Sequence, residues 1–311
     1  MVKCLECNRE FSSDRGVFTH ALKNHLLTAE KYLRKFNPKF DLYTGDPIEF
    51  KNAKQYKEQR FNSRDNYLNW LKLQSEEVCN EELLGWLKKR KEEKGLSRAI
   101  MQVELRSCFT PSIYGFDKLY IGGYKKACKD AGLDNNFDYD FSSIETNTPN
   151  DLCVLVDTRE QRELVIYGTD SEKEKLIVGD YTAKPPYYSN VFIERKSQSD
   201  LISTLSEYDR FVREIERARS LGLYICVIVE SPFELVEGYK PMKHFKESAT
   251  GKLALKRIRD ILHLFDNIQF LFVKGRPEAT GFTKKILILK EVVKNLDLQY
   301  LYDTKKLLPC G

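Results

Sequence analysis

Apolar positions along this chain change their period near residue 150. Beyond that point short apolar runs alternate with stretches of helical period. LCVLV at 152–156, YICVIVE at 224–230 and IQFLFV at 268–273 are rich in β-branched and aromatic residues and predict buried strands. Leu201, Leu205, Tyr208, Val212, Ile215 and Ala218 recur at helical spacing, and 249–265 and 278–296 predict two more helices. Strands alternating with helices predict an α/β fold, a mixed sheet with helices on its faces.

The amino-terminal half is patterned differently. EELLGWLKKRKEEKG predicts a helix with Leu83, Leu84 and Leu87 on its apolar side and a solvated basic run at 88–91. In KNAKQYKEQRFNSRDNYLNWLK, basic residues alternate with Tyr56, Phe61, Tyr67 and Trp70. Two readings fit: cations neutralising phosphates beside stacking rings, or an amphipathic helix with an aromatic core stripe. Residues 134–150 are polar and acidic without an apolar period, which predicts a linker. The expected division is 1–38, 39–80, 81–133, the linker 134–150, and an α/β domain 151–311.

Charge follows the same division. The net charge is +5, made of +7 in residues 1–130, −4 in 131–150 and +2 in 151–311. A basic amino-terminal part fits a nucleic-acid partner, and fits an ordinary solvated surface as well. The polar start argues against a secretory signal, and the lack of a long apolar run argues against a membrane partner. Six of the eight cysteines are scattered, as in a reducing intracellular setting, cytosolic or nuclear, and the cytoplasm is the expected one.

Cys4 and Cys7 are two residues apart, twelve residues lead on to His20, and four more to His25. A hairpin with two thiolates and a helix with two imidazoles close a tetrahedron around Zn²⁺ at this spacing. Phe11 and Val17 fall where such a module keeps its small core. The segment resembles two-Cys two-His zinc fingers, in particular those that open phage homing endonucleases. Its helix, starting near Asp14, would offer Arg15, Phe18, Thr19 and Lys23, with Arg15 and Lys23 as the expected DNA contacts. A structural or protein-binding role is the alternative.

The richest stretch is GDYTAKPPYYSNVFIERKSQSD, residues 179–200. Asp180 precedes a short hairpin. Alternation along the following strand puts Phe192, Glu194 and Lys196 on one face and Val191, Ile193 and Arg195 on the other. Two carboxylates and an ammonium held together suit Mg²⁺ (or Mn²⁺) and attack of water on a phosphodiester. Arg159 and Arg162 could hold a phosphate or form surface ion pairs. Arg195, turned toward the core, needs a carboxylate, with Asp200 or Glu160 as the candidates. Glu230 ends a strand without further distinction, and His244 and His263 are expected to be structural or surface residues.

VDTREQ at 156–161, VGDY at 178–181 and IERKSQSDL at 193–201 together resemble the XPF/Hef nuclease domain over roughly 151–295. The resemblance implies a restriction-endonuclease-like fold and metal-dependent DNA hydrolysis. It places Asp157, Asp180 and Glu194 around the metal and makes Lys196 the catalytic lysine, with Glu160, Arg159, Arg195 and Asp200 in support. Many members end in a tandem helix-hairpin-helix module, for which these 311 residues leave no room, so a homodimer stays an open expectation. Gly123, Tyr124, Ala127 and Ala131-Gly132-Leu133 are similar to a helical repeat that accompanies homing endonucleases. That likeness implies DNA contacts from Lys118, Tyr124, Lys125, Lys126 and Lys129. The combined expectation is a Mg²⁺-dependent, sequence-directed endonuclease acting on double-stranded DNA. A structure-specific nuclease of branched DNA and an inactive DNA-binding protein are the alternatives.

Overall fold

A computed structural model describes residues 2–38, 50, 52, 56, 64–95, 98–107, 111, 113–134, 138–139, 149, 151–240 and 250–309. Within the basic and aromatic segment 39–80, most of residues 39–63 lie outside the described residues, as do most of the acidic linker and His244. The chain forms two compact units, one of residues 1–89 with 109–124, the other of 90–108 with 125–311. No described helix is long and apolar enough to cross a membrane.

The first unit opens with strands β1 (Val2–Lys3) and β2 (Glu10–Phe11), paired antiparallel, and helix α1 (Asp14–His25). Ser13 caps α1 by accepting a hydrogen bond from Gly16 N–H, and Asp14 places an acid in the first turn. Helix α2 (Ala29–Phe36) returns across α1 after a Thr28 cap. Cys4, Val17, Ala21 and Tyr32 form the buried core of this module, with Phe11 and Phe18 packed against it. Helix α3 (Arg64–Leu71) buries Tyr67 completely and stacks it on Trp70 at 6.2 Å, so at Tyr67 the core reading of the aromatic stripe holds.

Helix α4 (Glu76–Lys94) starts in the first unit and ends in the second. Helix α5 (Gln102–Ser107) belongs to the second unit, α6 (Ile113–Leu119) to the first, and α7 (Gly123–Asp130) crosses between them. The units therefore do not follow the expected boundary between 81–133 and the α/β domain. The reason is burial. Val103 joins the core of the sheet unit, and Gln102 N–H donates to Asp297 at 2.5 Å. Glu104 is fully enclosed with Lys94 at 2.8 Å and Arg90 at 2.5 Å, and Lys94 also donates to the Leu262 carbonyl.

The sheet has six strands in the order β4 (Asp170–Glu174), β3 (Cys153–Asp157), β5 (Tyr181–Ala183), β6 (Val191–Lys196), β7 (Tyr224–Val229) and β8 (Ile268–Phe272). β3 and β4 are parallel, β5 is antiparallel to both its neighbours, and β6, β7 and β8 run parallel. The mixed sheet is the expected one. β4 reads DSEKE and is exposed throughout, a charged edge that discourages further pairing. β7 is apolar on both faces because helices cover both. On one face Phe192, Ile225, Val227 and Phe270 meet α8 (Gln198–Ser206), α9 (Tyr208–Ser220) and, beyond α10 (Phe233–Glu237), α11 (Gly251–Leu264). On the other, Ile193, Cys226 and Ile228 meet α12 (Arg276–Leu289) and α13 (Leu298–Asp303). The helix expected over 278–296 ends at Leu289 and tightens into a 3₁₀ segment over Lys290–Asn295.

Candidate active site and candidate metal centre

Gly179 and Asp180 set the geometry of the candidate active site. Gly179 has φ +68°, and a Cβ there would lie 2.9 Å from the Ile193 carbonyl oxygen, so only glycine lets this turn close on β6. Asp180 N–H then donates to that carbonyl at 2.7 Å, and the Asp180 carbonyl accepts from Asp157 N–H at 2.8 Å. The Asp180 carboxylate accepts from Arg195 N–H at 2.8 Å. Three strands are thus tied together at the residue that carries the acid.

Alternation along β6 places Glu194 and Lys196 beside Asp180. Lys196 Nζ lies 2.5 Å from Glu194 Oε1. With Asp180 they line one groove of about 710 Å³ whose far wall is α9. Burial, then the Glu194 charge, pushes the Asp180 carboxyl up to about 7. Burial works to lower Lys196, but Glu194 and Asp180 outweigh it and hold the ammonium above its ordinary range. Glu214 on α9 also faces this groove. Burial and the Glu194 charge raise its carboxyl, and Lys196 and Arg159 lie near it. The sequence reading missed Glu214. Its only local signal was an acid at a polar position of an amphipathic helix.

Asp157, expected around the metal, is held by hydrogen bonds from its own neighbours. It is 1% exposed, and both its oxygens are taken. Oδ1 accepts from Arg159 N–H and Nε, each at 2.7 Å, and Oδ2 from Arg159 Nη2 at 3.0 Å and Leu176 N–H at 2.8 Å. Burial alone would raise this carboxyl, yet these hydrogen bonds hold it below the ordinary range. Arg159, expected at a phosphate or in a surface ion pair, makes the ion pair and clamps Asp157.

Arg195 is turned to the core as alternation requires, and it has two carboxylates. Glu160 lies at 3.0 Å and Glu230 at 3.2 Å. Glu230 in turn meets Arg276 at 3.3 Å, so two glutamates and two arginines cancel in charge. Asp200 is not the partner of Arg195. Its N–H donates to Ser197 Oγ, which in turn donates to Asp200 Oδ2 at 2.6 Å, a reciprocal cap that starts α8 directly after Lys196.

At the amino terminus one ligand atom each from Cys4, Cys7, His20 and His25 lies within 4.8 Å of the others. Cys7 Sγ is 3.1 Å and His25 Nε2 3.2 Å from His20 Nε2. Burial acts to raise the Cys4 thiol, but hydrogen bonds from the Glu6 and Cys7 amides, the Cys7 side chain and Tyr32 bring it below its ordinary range. Two soft sulfurs and two imidazoles fit a tetrahedral Zn²⁺ site. Arg15 and Lys23 are exposed on α1, the helix that also holds both histidines.

The remaining expected DNA contacts separate by exposure. Tyr124 is 1% exposed and packs edge-on against Phe116 at 5.0 Å, so its ring is a core residue and not a DNA contact. Its N–H is held by Asp117 Oδ1, and Gly123, at φ +74°, allows that approach. Lys118 lies over the Tyr114 ring at 4.4 Å. Lys125 pairs with Asp138 and Lys126 with Asp130, both in exposed pairs, and Lys129 is exposed. His263 is half-buried on α11 and away from any ligand cluster among the described residues.

A family model described as the ERCC4 domain matches residues 156–286, which span both acidic strand ends, the groove and α9. Among solved structures, XPF from Aeropyrum pernix is similar at 20% identity and a TM-score of 0.34, over 50% of this chain and 69% of that one. XPF from Aeropyrum pernix in complex with DNA is similar at 22% identity and a TM-score of 0.32, over 44% of this chain and 63% of that one. No curated protein sequence matches the chain.

Proposed function

We propose that this protein is a metal-dependent DNA endonuclease whose reaction centre is the groove holding Asp180, Glu194 and Lys196. The observation that carries the reading is the meeting of these three side chains, from the turn before β5 and from β6, within a match to the ERCC4 domain. Hard carboxylate oxygens suit Mg²⁺ or Mn²⁺, which when bound supplies charge neutralisation and an acidified water. Asp180 and Glu194 would hold the ion. Asp157, with its oxygens engaged, supports the site by fixing the end of β3 to the loop ahead of Asp180. Lys196 directs a donor into the groove at the level of the acids, where it can orient the attacking water or meet charge on the phosphate. Arg195 acts from below: its N–H holds the Asp180 carboxylate while its guanidinium anchors β6 to Glu160 and Glu230.

The finger supports the more specific reading, a sequence-directed enzyme of the homing type. Zn²⁺ held by Cys4, Cys7, His20 and His25 would fix α1, leaving Arg15 and Lys23 on its exposed surface for double-stranded DNA. The helices around Lys118, Lys125, Lys126 and Lys129 would add phosphate contacts. The expected setting is the cytoplasm, that of the host cell for a phage-encoded enzyme.

The test is cleavage of a genomic DNA library with Mg²⁺, with ends mapped by sequencing, beside a set of forks and flaps. Ends clustered at one sequence support the homing reading. Cutting that follows branches and ignores sequence replaces it with a structure-specific nuclease. Glu194→Ala and Lys196→Ala are each expected to remove cleavage by a factor of at least ~100 while duplex binding persists. Full cleavage by either variant refutes the assignment.

A further inference from the structure

Two arginines beside the acids, Arg159 and Arg195, are already engaged. Arg159 clamps Asp157, and Arg195 is enclosed by Glu160 and Glu230. Lys196 is tied to Glu194. A phosphodiester entering the groove must find its other cations on the opposite wall, and that wall is α9.

Arg210, Arg213 and Arg217 of α9 all line the groove. Spacings of three and four residues put them on one helix face. Arg213 is exposed and has no hydrogen-bond or ion-pair partner among the described residues. Arg217 donates one hydrogen bond to the Ile177 carbonyl at 3.0 Å, which steadies its guanidinium beside the loop that leads to Asp180. Arg210 pairs with Glu207 at 3.0 Å, both well exposed. Such a pair contributes little in water, so a phosphate can replace the carboxylate. Glu214, on the same helix, sits among Glu194, Lys196 and Arg159, at the level of the acids.

From Arg210 to Arg217 the helix rises about 10 Å. One strand of a duplex presents a phosphate roughly every 3.4 Å of axis, so the face spans about three phosphate steps. We propose that α9 is a rail for the DNA strand being cut, with Arg210, Arg213 and Arg217 gripping phosphates on either side of the one held at Asp180, Glu194 and Lys196. The proposal rests on the nuclease reading for the identity of the ligand and adds which surface of the catalytic unit holds the backbone.

The experiment measures binding of a fluorescein-labelled 30-base-pair duplex to the full chain in a Glu194→Gln background, where cutting is suppressed. Affinity is followed from 50 to 200 mM NaCl. The triple variant Arg210→Ala/Arg213→Ala/Arg217→Ala is expected to flatten the slope of log affinity against log salt by about 2–3. Over that fourfold change in salt the parent then loses about 16- to 64-fold more affinity than the variant. A lysine triple at the same positions is expected to keep the parental slope. Equal slopes for parent and alanine triple overturn the rail, as does an equal flattening in the lysine triple, which would trace the effect to helix damage. Cleavage by the wild-type chain is scored separately. An enzyme that cuts no DNA removes the nuclease reading, whereas the salt slopes report on the rail alone.

Discussion

Asp180→Asn should make this protein more stable while removing its activity. The Asp180 carboxyl sits in the groove beside Glu194, and burial with that charge raises it from an ordinary 3.8 to about 7. Between those values the folded chain holds a proton that the unfolded chain releases, so this residue's contribution to stability declines as pH rises from about 4 to about 7. Three pH decades at about 1.4 kcal/mol each give about 4 kcal/mol of destabilisation above pH 7. Solvent at the groove mouth screens part of it, leaving about 2–4 kcal/mol. Asparagine imitates the protonated acid. Its carbonyl can still accept from Arg195 N–H, and its amide can donate toward Glu194. Urea unfolding without added Mg²⁺ at pH 8.5 should show the variant more stable by that amount, and at pH 5 the gap should shrink to about 1–1.5 kcal/mol. A gap equal at both pH values, or a variant less stable at pH 8.5, refutes the reasoning.

On the proposed reading the same proton would compete with a metal ion. The Mg²⁺ concentration for half-maximal cleavage should rise about tenfold per pH unit below ~7 and level off above it, and a flat dependence from pH 5.5 to 8 counts against Asp180 as a ligand. Glu104→Gln leaves Lys94 enclosed without its carboxylate and should cost about 3–5 kcal/mol in urea unfolding of the full chain, with a change under about 1 kcal/mol showing the pair to be dispensable. Cys4→Ser with Cys7→Ser should abolish Zn²⁺ uptake, read by a chromophoric chelator, and degrade choice of cleavage site more than the cleavage rate on a short duplex. Retained zinc in that variant rules out the ligand set.

The core of the site was legible because it is made of local rules. A turn glycine, a hairpin and strict alternation put Asp180, Glu194 and Lys196 together with no knowledge of the rest of the sheet. The Cys/His cluster was legible for a like reason, since four such residues within 22 leave few ways to close. Alternation also told that Arg195 faces inward, but not that Glu230, 35 residues on, would join Glu160 in holding it. The family resemblance puts Asp157 among the expected ligands. Only the approach of the 176 loop shows its oxygens filled by Arg159 and Leu176.

What the sequence determined by itself were the meeting of Asp180, Glu194 and Lys196, the gathering of Cys4, Cys7, His20 and His25, and the alternation of strands and helices, because each depends on spacing within one element or across one short turn. The tertiary structure decided which charges meet. It brought Glu214 and the α9 arginines to the far wall of the groove, buried Tyr124, and drew Glu104 and Lys94 into the sheet unit. Partner choice among buried charges and exposure of a given ring depend on elements far apart in the chain, and no local period encodes them.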